Sequence, residues 1–234
     1  KSLQPVEKVL KEQQRFVANA SHELRTPLTS LKTTIEVSLR EKDLPSKYQN
    51  SLKRNLEDVD ALNLLIDKLL QLASFENRND QLNTCNIDEL LSKAIQTMKP
   101  LANEKNIQIT TNIQHQQIIA NESAIMELLY ILLDNAIKYS QYGSEIYVGN
   151  TKTSNYVTLK VTDAGIGIPK KDLPHIFNRF YQVDSARTHS KKSGFGLGLS
   201  VAKQIVTNHH GKIIVQSQVC IGTTVVIKLP ISHS

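Results

Sequence analysis

Apolar residues in the first third of the chain follow a helical spacing throughout. Leu24, Leu28, Leu31 and Ile35 recur in alternating steps of four and three, which places them along one face of a helix. After a short polar break, a second seam follows a similar spacing, with the members Leu52, Leu56, Val59, Ile66, Leu69 and Ala73. Two amphipathic helices joined by a short loop make an antiparallel hairpin, which we predict within residues 1–77.

The second of these helices carries more apolar residues than one hairpin can bury. Leu62, Leu65 and Leu70 come in addition to its seam. Because apolar surface is stabilised by removal from water, these residues imply a further partner surface. The simplest partner is a second copy of the chain, so we predict a homodimer built on a four-helix bundle.

Beyond the hairpin the pattern changes. Residues 78–86 are predominantly polar and are predicted to form a linker. In residues 87–234, helical periods alternate with strand-like alternation, which indicates helices layered on a sheet. The predicted helices are 88–104, with Asp88 as a candidate N-cap, 123–139 and 199–208. The predicted strands are 107–113, 145–150, 156–162, 212–217 and 224–229.

Composition and charge narrow the range of functions. The 234 residues include 28 Lys and Arg against 22 Asp and Glu, a net charge of +6 that suits an anionic ligand, an acidic partner or a membrane surface. The basic residues are scattered rather than interleaved with aromatics, so we expect no nucleic-acid partner. Cys85 and Cys220 lack metal-ligand spacing and are predicted to be reduced structural residues.

A histidine lies inside the first predicted helix, in the segment Ser-His-Glu-Leu-Arg-Thr-Pro-Leu. His22 and Thr26 are four residues apart and share a face, while Pro27 removes a helical hydrogen bond and loosens that turn. A zinc protease motif would need a second histidine where Thr26 stands. A neutral imidazole beside the Glu23 carboxylate could act as a nucleophile, although a solvated helix histidine would have the same sequence.

Candidate phosphate-binding residues lie at the end of the second predicted helix of the latter region. Asn135 follows a strongly apolar stretch, where an unpaired buried amide would cost about 1–3 kcal/mol. Mg²⁺ with phosphate oxygens would satisfy it, and Lys138 lies one turn further on. A capping asparagine and a surface lysine explain the same residues equally well.

Two glycine-rich segments follow. In the first, Asp163 precedes Gly165 and Gly167 directly after a strand, an arrangement that lets the backbone approach a flat ligand or simply makes a tight turn. The second leads into a helix, where backbone amides can bind an anion, and contains neither a Walker A nor a Rossmann spacing. Its glycines are Gly194, Gly196 and Gly198. The basic stretch 185–193 between the two is predicted to be either a lid over phosphates or an ordinary surface loop.

Taken together, these segments resemble the histidine kinases of two-component signalling, over nearly the whole chain. Their order is the family's order of phosphoacceptor, N, G1, F and G2 boxes. The matching ranges are 16–28, 135–139, 163–167, 176–181 and 194–199. The resemblance implies an α+β fold, in which a helical hairpin forms a dimeric four-helix bundle and precedes an α/β-sandwich ATP domain of the gyrase and Hsp90 type.

The resemblance also implies roles for individual residues. His22 would accept the γ-phosphoryl group of ATP with Glu23 as base, and Thr26 would position water for phosphatase activity toward the partner. Asn135 would bind Mg²⁺, and Asp163 would accept the adenine amino group. The other implied nucleotide-binding residues are Lys138, Tyr139, Gly165, Gly167, Arg179, Gly194, Gly196 and Gly198. Two positions depart from the usual boxes, namely Ile131 and Gln182, which replace an asparagine and an arginine.

Partners and location follow from the same resemblance. We expect a homodimer that passes its phosphoryl group to an aspartate of a response regulator receiver domain. Residues 1–14 resemble the stretch that joins a membrane helix to the phosphoacceptor helix, so we expect the cytoplasmic portion of a membrane protein. The alternative functions are an ATP-binding conformational switch and a degenerate kinase that acts mainly as a phosphatase.

Overall fold

The structure is a computed structural model that describes residues 23–40, 44–74, 82–183 and 195–231. The chain divides into two compact units, Lys1–Asn77 and Arg78–Ser234. Among the described residues, no helix combines the length and apolar character needed to cross a bilayer. The predicted sites His22 and Gly194 and the predicted lid 185–193 lie outside the described residues, as does the first part of the predicted linker.

The first unit is a helical hairpin. Helix α1 covers residues 23–38 and helix α2 covers Ser46–Ser74. Ile35, Val59 and Ile66 are only 3–5% exposed and form the buried strip between the helices. The Nζ of Lys32 in α1 lies 2.8 Å from Oδ1 of Asp60 in α2. Both side chains are solvent-exposed, so this ion pair marks the alignment of the helices more than it stabilises them.

The predicted apolar seam of α1 divides into two rows. Ile35 is buried and Leu28 half-buried, whereas Leu24 and Leu31 are 53% and 48% exposed. Leu28 and Ile35 form one row and Leu24 and Leu31 the other, and the members of each row are seven residues apart. The hairpin covers the first row and leaves the second exposed. On α2, Leu62 is likewise 44% exposed. The hairpin therefore keeps apolar surface of the kind that a further pair of helices would cover.

The second unit is a mixed sheet with helices on one face. Its elements are β1 Asn83–Asn86, α3 Ile87–Glu104, β2 Gln108–Asn112, β3 Gln117–Ala120, α4 Glu122–Tyr139, β4 Glu145–Lys152, β5 Tyr156–Asp163, α5 Gly198–Asn208, β6 Lys212–Gln218 and β7 Gly222–Pro230. The five strands of the sheet have the order β2-β4-β5-β7-β6, and every neighbouring pair is antiparallel except β2 with β4. Helix α3 packs on β2, α4 on β5 and α5 on β6, while α4 also contacts both other helices.

The central strand β5 shows how the sheet divides into two faces. Val157, Leu159 and Val161 alternate along it and are at most 3% exposed, because they face the helices. The opposite face carries polar side chains: Tyr147 pairs with Thr162, which in turn pairs with Thr224. These three residues line an open groove of about 590 Å³ on that face. The predicted α+β sandwich fold is confirmed.

Two expectations about the start of this unit were wrong. Residues Asn83–Asn86, predicted as the end of the linker, form strand β1 and pair with the unpredicted strand β3. The N-cap of α3 is Asn86 rather than Asp88, which lies in the first turn. The helix begins earlier because Ile87 is fully buried and its N–H bonds to the carbonyl of Gln116 at 2.8 Å. Both errors come from contacts with a segment about 30 residues further along the chain.

Candidate nucleotide-binding site

Helix α4 carries the predicted metal and phosphate ligands in its last turns. It begins at the N-cap Asn121, whose Oδ1 accepts a hydrogen bond from the Ala124 amide at 3.0 Å. Most of its length is buried, because it lies between the sheet and the other two helices. Near its end, the polar side chains of Asn135, Lys138 and Tyr139 are half-buried and reach partly into solvent. The helix therefore brings these three side chains together at the rim of the packed core.

Asn135 faces the start of helix α5. A Cβ atom placed on Gly198 would lie 3.8 Å from Nδ2 of Asn135 and 3.4 Å from Cγ2 of Ile131. The first turn of α5 has backbone N–H groups without intrahelical partners, which attract anions. The structure thus brings together the predicted metal ligand and the last glycine of the second glycine-rich segment.

Lys138 and Tyr139 interact with each other. The Nζ of Lys138 lies over the Tyr139 ring, 5.1 Å from its centroid. Burial raises the pKa of the Tyr139 hydroxyl, and the Asp134 carboxylate raises it further. The phenol therefore stays protonated at neutral pH and is available as a hydrogen-bond donor.

Asp163 lies at the end of β5, and its carboxylate is held by the backbone. Its Oδ1 accepts hydrogen bonds from the amides of Gly165 at 2.9 Å and Thr223 at 3.1 Å. Its Oδ2 makes no hydrogen bond to the described residues. Burial raises the pKa of Asp163, while the two amide bonds partly oppose that rise. The carboxylate is thus oriented by one oxygen, which leaves the other for a ligand.

The glycines after Asp163 are required by contacts within the chain. A Cβ on Gly165 would clash with the carbonyl of Tyr139 and lie 2.7 Å from Oδ1 of Asp163. Gly167 has φ +69, and a Cβ there would clash with the backbone of Gln218. The amide of Ile166 also donates to the carbonyl of Tyr139 at 3.2 Å. Gly165 therefore joins Asp163 to the end of α4, and a close approach of these glycines to a ligand stays a prediction.

The predicted F box packs against the second glycine-rich segment. The amide of Phe180 donates to the carbonyl of Gly196 at 3.0 Å, and Gly196 has φ +71. The hydroxyl of Tyr181 donates to Oδ1 of the buried Asp172 at 2.6 Å. Arg179, in the same turn, is exposed and forms no hydrogen bond or ion pair with the described residues. The turn supports Gly196, while a role of Arg179 toward phosphate stays a prediction.

Two of the three predicted catalytic residues of the first unit are exposed to solvent. Glu23 and Thr26 are both exposed on α1. Pro27 has no N–H, so the carbonyl of Glu23 lacks its usual helical donor. Both side chains are open to a partner or a substrate.

Sequence reasoning missed two anchors of α4. Lys105, at the C-cap of α3, donates from Nζ to carbonyls at the end of α4. His209, which is 5% exposed, accepts through Nε2 from the amide of Asn121 at 3.0 Å. The sequence around Lys105 and His209 does not indicate that either residue contacts α4. Lys105 lies near a helix end, where lysines are common, and His209 is one of two neighbouring histidines.

The donors present fit Mg²⁺ bound together with phosphates. Within the described part of the chain, no group of three or more His, Cys, Asp or Glu residues could hold a metal. The amide oxygen of Asn135 is a hard donor of the type that Mg²⁺ takes, and Mg²⁺ commonly completes its shell with phosphate oxygens and water. Asn135 beside the glycine at the start of α5 is consistent with such a site.

Comparisons with known proteins assign both units to families. Residues 12–78 match the His Kinase A (phospho-acceptor) domain, and residues 120–233 match the histidine kinase-, DNA gyrase B-, and HSP90-like ATPase family. The chain is 32% identical to the sensor-like histidine kinase SenX3 of Mycolicibacterium smegmatis, over 92% of its own length and 56% of that relative. It is 36% identical to the sensor protein CiaH of Streptococcus pneumoniae, over 98% of this chain and 52% of CiaH.

Solved structures share the fold. Full-length ShkA, crystallised in complex with AMPPNP, has a TM-score of 0.77 at 24% identity and covers 94% of this chain and 46% of that one. The Acinetobacter baumannii histidine kinase AdeS has a TM-score of 0.62 at 24% identity, over 90% of this chain and 98% of that one. The chain spans about half the length of the curated relatives SenX3 and CiaH.

Proposed function

The chain belongs to the sensor histidine kinases of two-component systems, and from this premise we propose that it phosphorylates its own His22 with ATP and passes the group to a response regulator. The observation that carries the proposal is the junction of Asn135, Gly198 and the Asp163–Gly165 turn around the end of α4. A second support is the match of the hairpin, including position 22, to a phosphoacceptor family.

The nucleotide would bind where these elements meet. Asp163 is proposed to accept the adenine amino group through Oδ2, because its Oδ1 is already engaged by two amides. Lys138 and the protonated Tyr139 hydroxyl are proposed to contact the nucleotide and its phosphates from the last turn of α4. Mg²⁺ would neutralise phosphate charge, and Asn135 is the residue proposed to hold it. The remaining proposed nucleotide-binding residues are Gly165, Gly167, Arg179, Gly194, Gly196 and Gly198.

Phosphoryl transfer would occur at the hairpin. The proposed nucleophile is a ring nitrogen of His22, which forms the bond to the γ-phosphorus while ADP leaves. Glu23 would take the proton from the other ring nitrogen, and its exposure on α1 leaves it accessible for that task. Thr26, also exposed, would orient the water that attacks the phospho-aspartate of the response regulator, which releases inorganic phosphate and restores the aspartate.

The biological setting is proposed on the same basis. The proposed domains are a phosphoacceptor hairpin in residues 1–77 and a catalytic domain that begins at β1, earlier than residue 87. Exposed Leu24, Leu31 and Leu62 support a homodimer. SenX3 and CiaH are named as sensors, and we propose that this chain is likewise part of a sensor, namely the cytoplasmic portion of a membrane-bound receptor. An ATP-driven conformational switch, or a degenerate kinase that acts mainly as a phosphatase, is the alternative.

The decisive experiment is phosphorylation of the chain with γ-labelled ATP. We expect one label that is lost in acid and kept in alkali, as a phosphohistidine behaves. His22→Gln should abolish the label, whereas the matched control His115→Gln, on the exposed surface of the other unit, should keep it. A label that is stable in acid, or that persists in His22→Gln, would contradict the proposal. Nucleotide binding without any label would support the conformational switch.

A further inference from the structure

Lys105 reaches from the end of one helix to the end of another. It is the C-cap residue of α3, and its Nζ donates to the carbonyls of Ile137 at 2.9 Å, Lys138 at 2.7 Å and Ser140 at 3.4 Å. Its own carbonyl accepts a hydrogen bond from the amide of Gly143 at 2.9 Å. Lys105 is therefore tied to both sides of the turn that follows α4.

These contacts fall where a helix is weakest. The last four carbonyls of a helix have no intrahelical partner, and the C-terminus carries the negative end of the helix dipole. The half-buried Lys105 ammonium donates up to three hydrogen bonds to such carbonyls, and its positive charge offsets the negative end of the dipole. The remaining carbonyl in this series, that of Tyr139, accepts from the Ile166 amide at 3.2 Å. Lys105 and the first glycine-rich turn together leave the end of α4 little freedom to fray.

The turn that Lys105 holds is the one that carries Lys138 and Tyr139, one turn after Asn135. We propose that Lys105 is a positioning residue of the nucleotide site, which keeps the last turn of α4 in its binding conformation. The proposal rests on the proposed function, because it concerns the same site. Lys105 acts here through the backbone of α4, not by contact with the nucleotide.

The other end of α4 offers a matched control. Asn121 caps the helix through its Oδ1 bond to Ala124 at 3.0 Å, some four turns away from Asn135. Asn121→Ala should destabilise the same helix without disturbing its last turn. A variant at each end of one helix therefore separates local positioning from general loss of stability.

The experiment measures ATP affinity and thermal stability for the full chain and its variants. Lys105→Met keeps the apolar stem and removes the charge and the donors. If the last turn is then ordered for only a tenth of the time, the Kd for ATP should rise about 10-fold. Asn121→Ala should lower the melting temperature but leave the Kd close to that of the wild type. Lys105→Arg, which restores charge and donors, should recover most of the affinity.

Hydrogen exchange provides a second readout. The amide of Ser140 donates to the carbonyl of Ala136 at 3.0 Å, so peptides that cover residues 134–140 should exchange faster in Lys105→Met than in Asn121→Ala. If Lys105→Met does not fold, Lys105→Gln, which keeps an amide donor, carries the same test.

Two results would overturn the inference. The first is a Kd for ATP in Lys105→Met that equals the wild-type value. The second is an Asn121→Ala protein that melts at the same temperature as Lys105→Met and loses as much affinity for ATP. The wild-type Kd distinguishes this failure from that of the proposed function. If the wild-type chain binds no ATP, both the proposed function and the inference about Lys105 are refuted. If the wild type binds ATP and Lys105→Met binds it equally tightly, only the inference is refuted.

Discussion

Replacement of Asp163 by Asn separates ligand recognition from folding at one side chain. Oδ1 of Asp163 accepts from the amides of Gly165 and Thr223, and an asparagine Oδ1 can accept both bonds unchanged. Only the charge and the second oxygen are lost, since Nδ2 replaces Oδ2. The change therefore leaves the local backbone supported while it removes the proposed acceptor for the adenine amino group.

The effect on affinity can be worked from that lost bond. A hydrogen bond to a charged group is worth about 1.5–3 kcal/mol, so Asp163→Asn should weaken ATP binding by roughly 10- to 150-fold. Isothermal titration of the Asp163→Asn chain with ATP measures this change directly. Unchanged affinity would mean that the adenine is recognised elsewhere.

The effect on stability should have the opposite sign. Burial raises the pKa of Asp163, so folding disfavours its charged form. The contribution of Asp163 to the stability of the wild type should fall as pH rises from the unfolded pKa of about 3.9 through the raised folded value, whereas asparagine does not titrate. Without nucleotide, Asp163→Asn should thus melt higher than the wild type at pH 7, and this advantage should disappear as the pH falls toward about 3.9.

Asp88→Asn is the matched control, with the same change in charge. The hydrogen bond with His115 lowers the pKa of Asp88, so the sign reverses and its loss should not stabilise the fold at pH 7. ATP affinity should also stay unchanged. An Asp163→Asn protein that melts below the wild type at neutral pH would mean that burial does not destabilise the charged form of Asp163.

Four further predictions concern other residues of the chain. Gly165→Ala should destabilise the fold, because its Cβ would clash with the Tyr139 carbonyl, whereas Gly198→Ala meets only ordinary contacts of 3.4 and 3.8 Å; equal melting temperatures would contradict this. Leu31→Glu places a charge in the exposed row of α1 and should give a folded monomer by sedimentation, if that row forms the dimer interface. Glu23→Gln should slow labelling of the chain by about 10²–10⁴-fold. The Thr26→Ala chain should still be labelled by ATP but should lose phosphatase activity. Loss of labelling with phosphatase activity retained would contradict the roles assigned to Glu23 and Thr26.

Local patterns predicted much of this protein because they depend on short-range geometry. The central strand β5, predicted over 156–162, extends over Tyr156–Asp163, since its alternating Val and Leu side chains match the two faces of a sheet. Helix α4 was likewise predicted within one residue, because a long apolar run with helical spacing has few alternatives. The five boxes in order also made the family recognisable.

Strands β1 and β3 were missed because they are four residues each and gain their stability from each other. The division of the α1 seam was missed for a similar reason. Leu28 and Leu31 follow one spacing in the sequence, yet packing of α1 against α2 half-buries one and leaves the other exposed. Neither outcome can be read from a single segment, since each depends on a partner segment whose position the local pattern does not specify.

Periodicity and side-chain chemistry were enough to predict the longer helices and strands, the fold class and the kinds of residue available for phosphate chemistry. Which atoms meet was set instead by the tertiary structure. It placed Gly198 beside Asn135, gave Oδ1 of Asp163 to two amides, and brought the Lys105 ammonium to the end of α4. These contacts join residues up to 63 positions apart, as from Asn135 to Gly198, and only chain folding brings such separations within hydrogen-bond or van der Waals range.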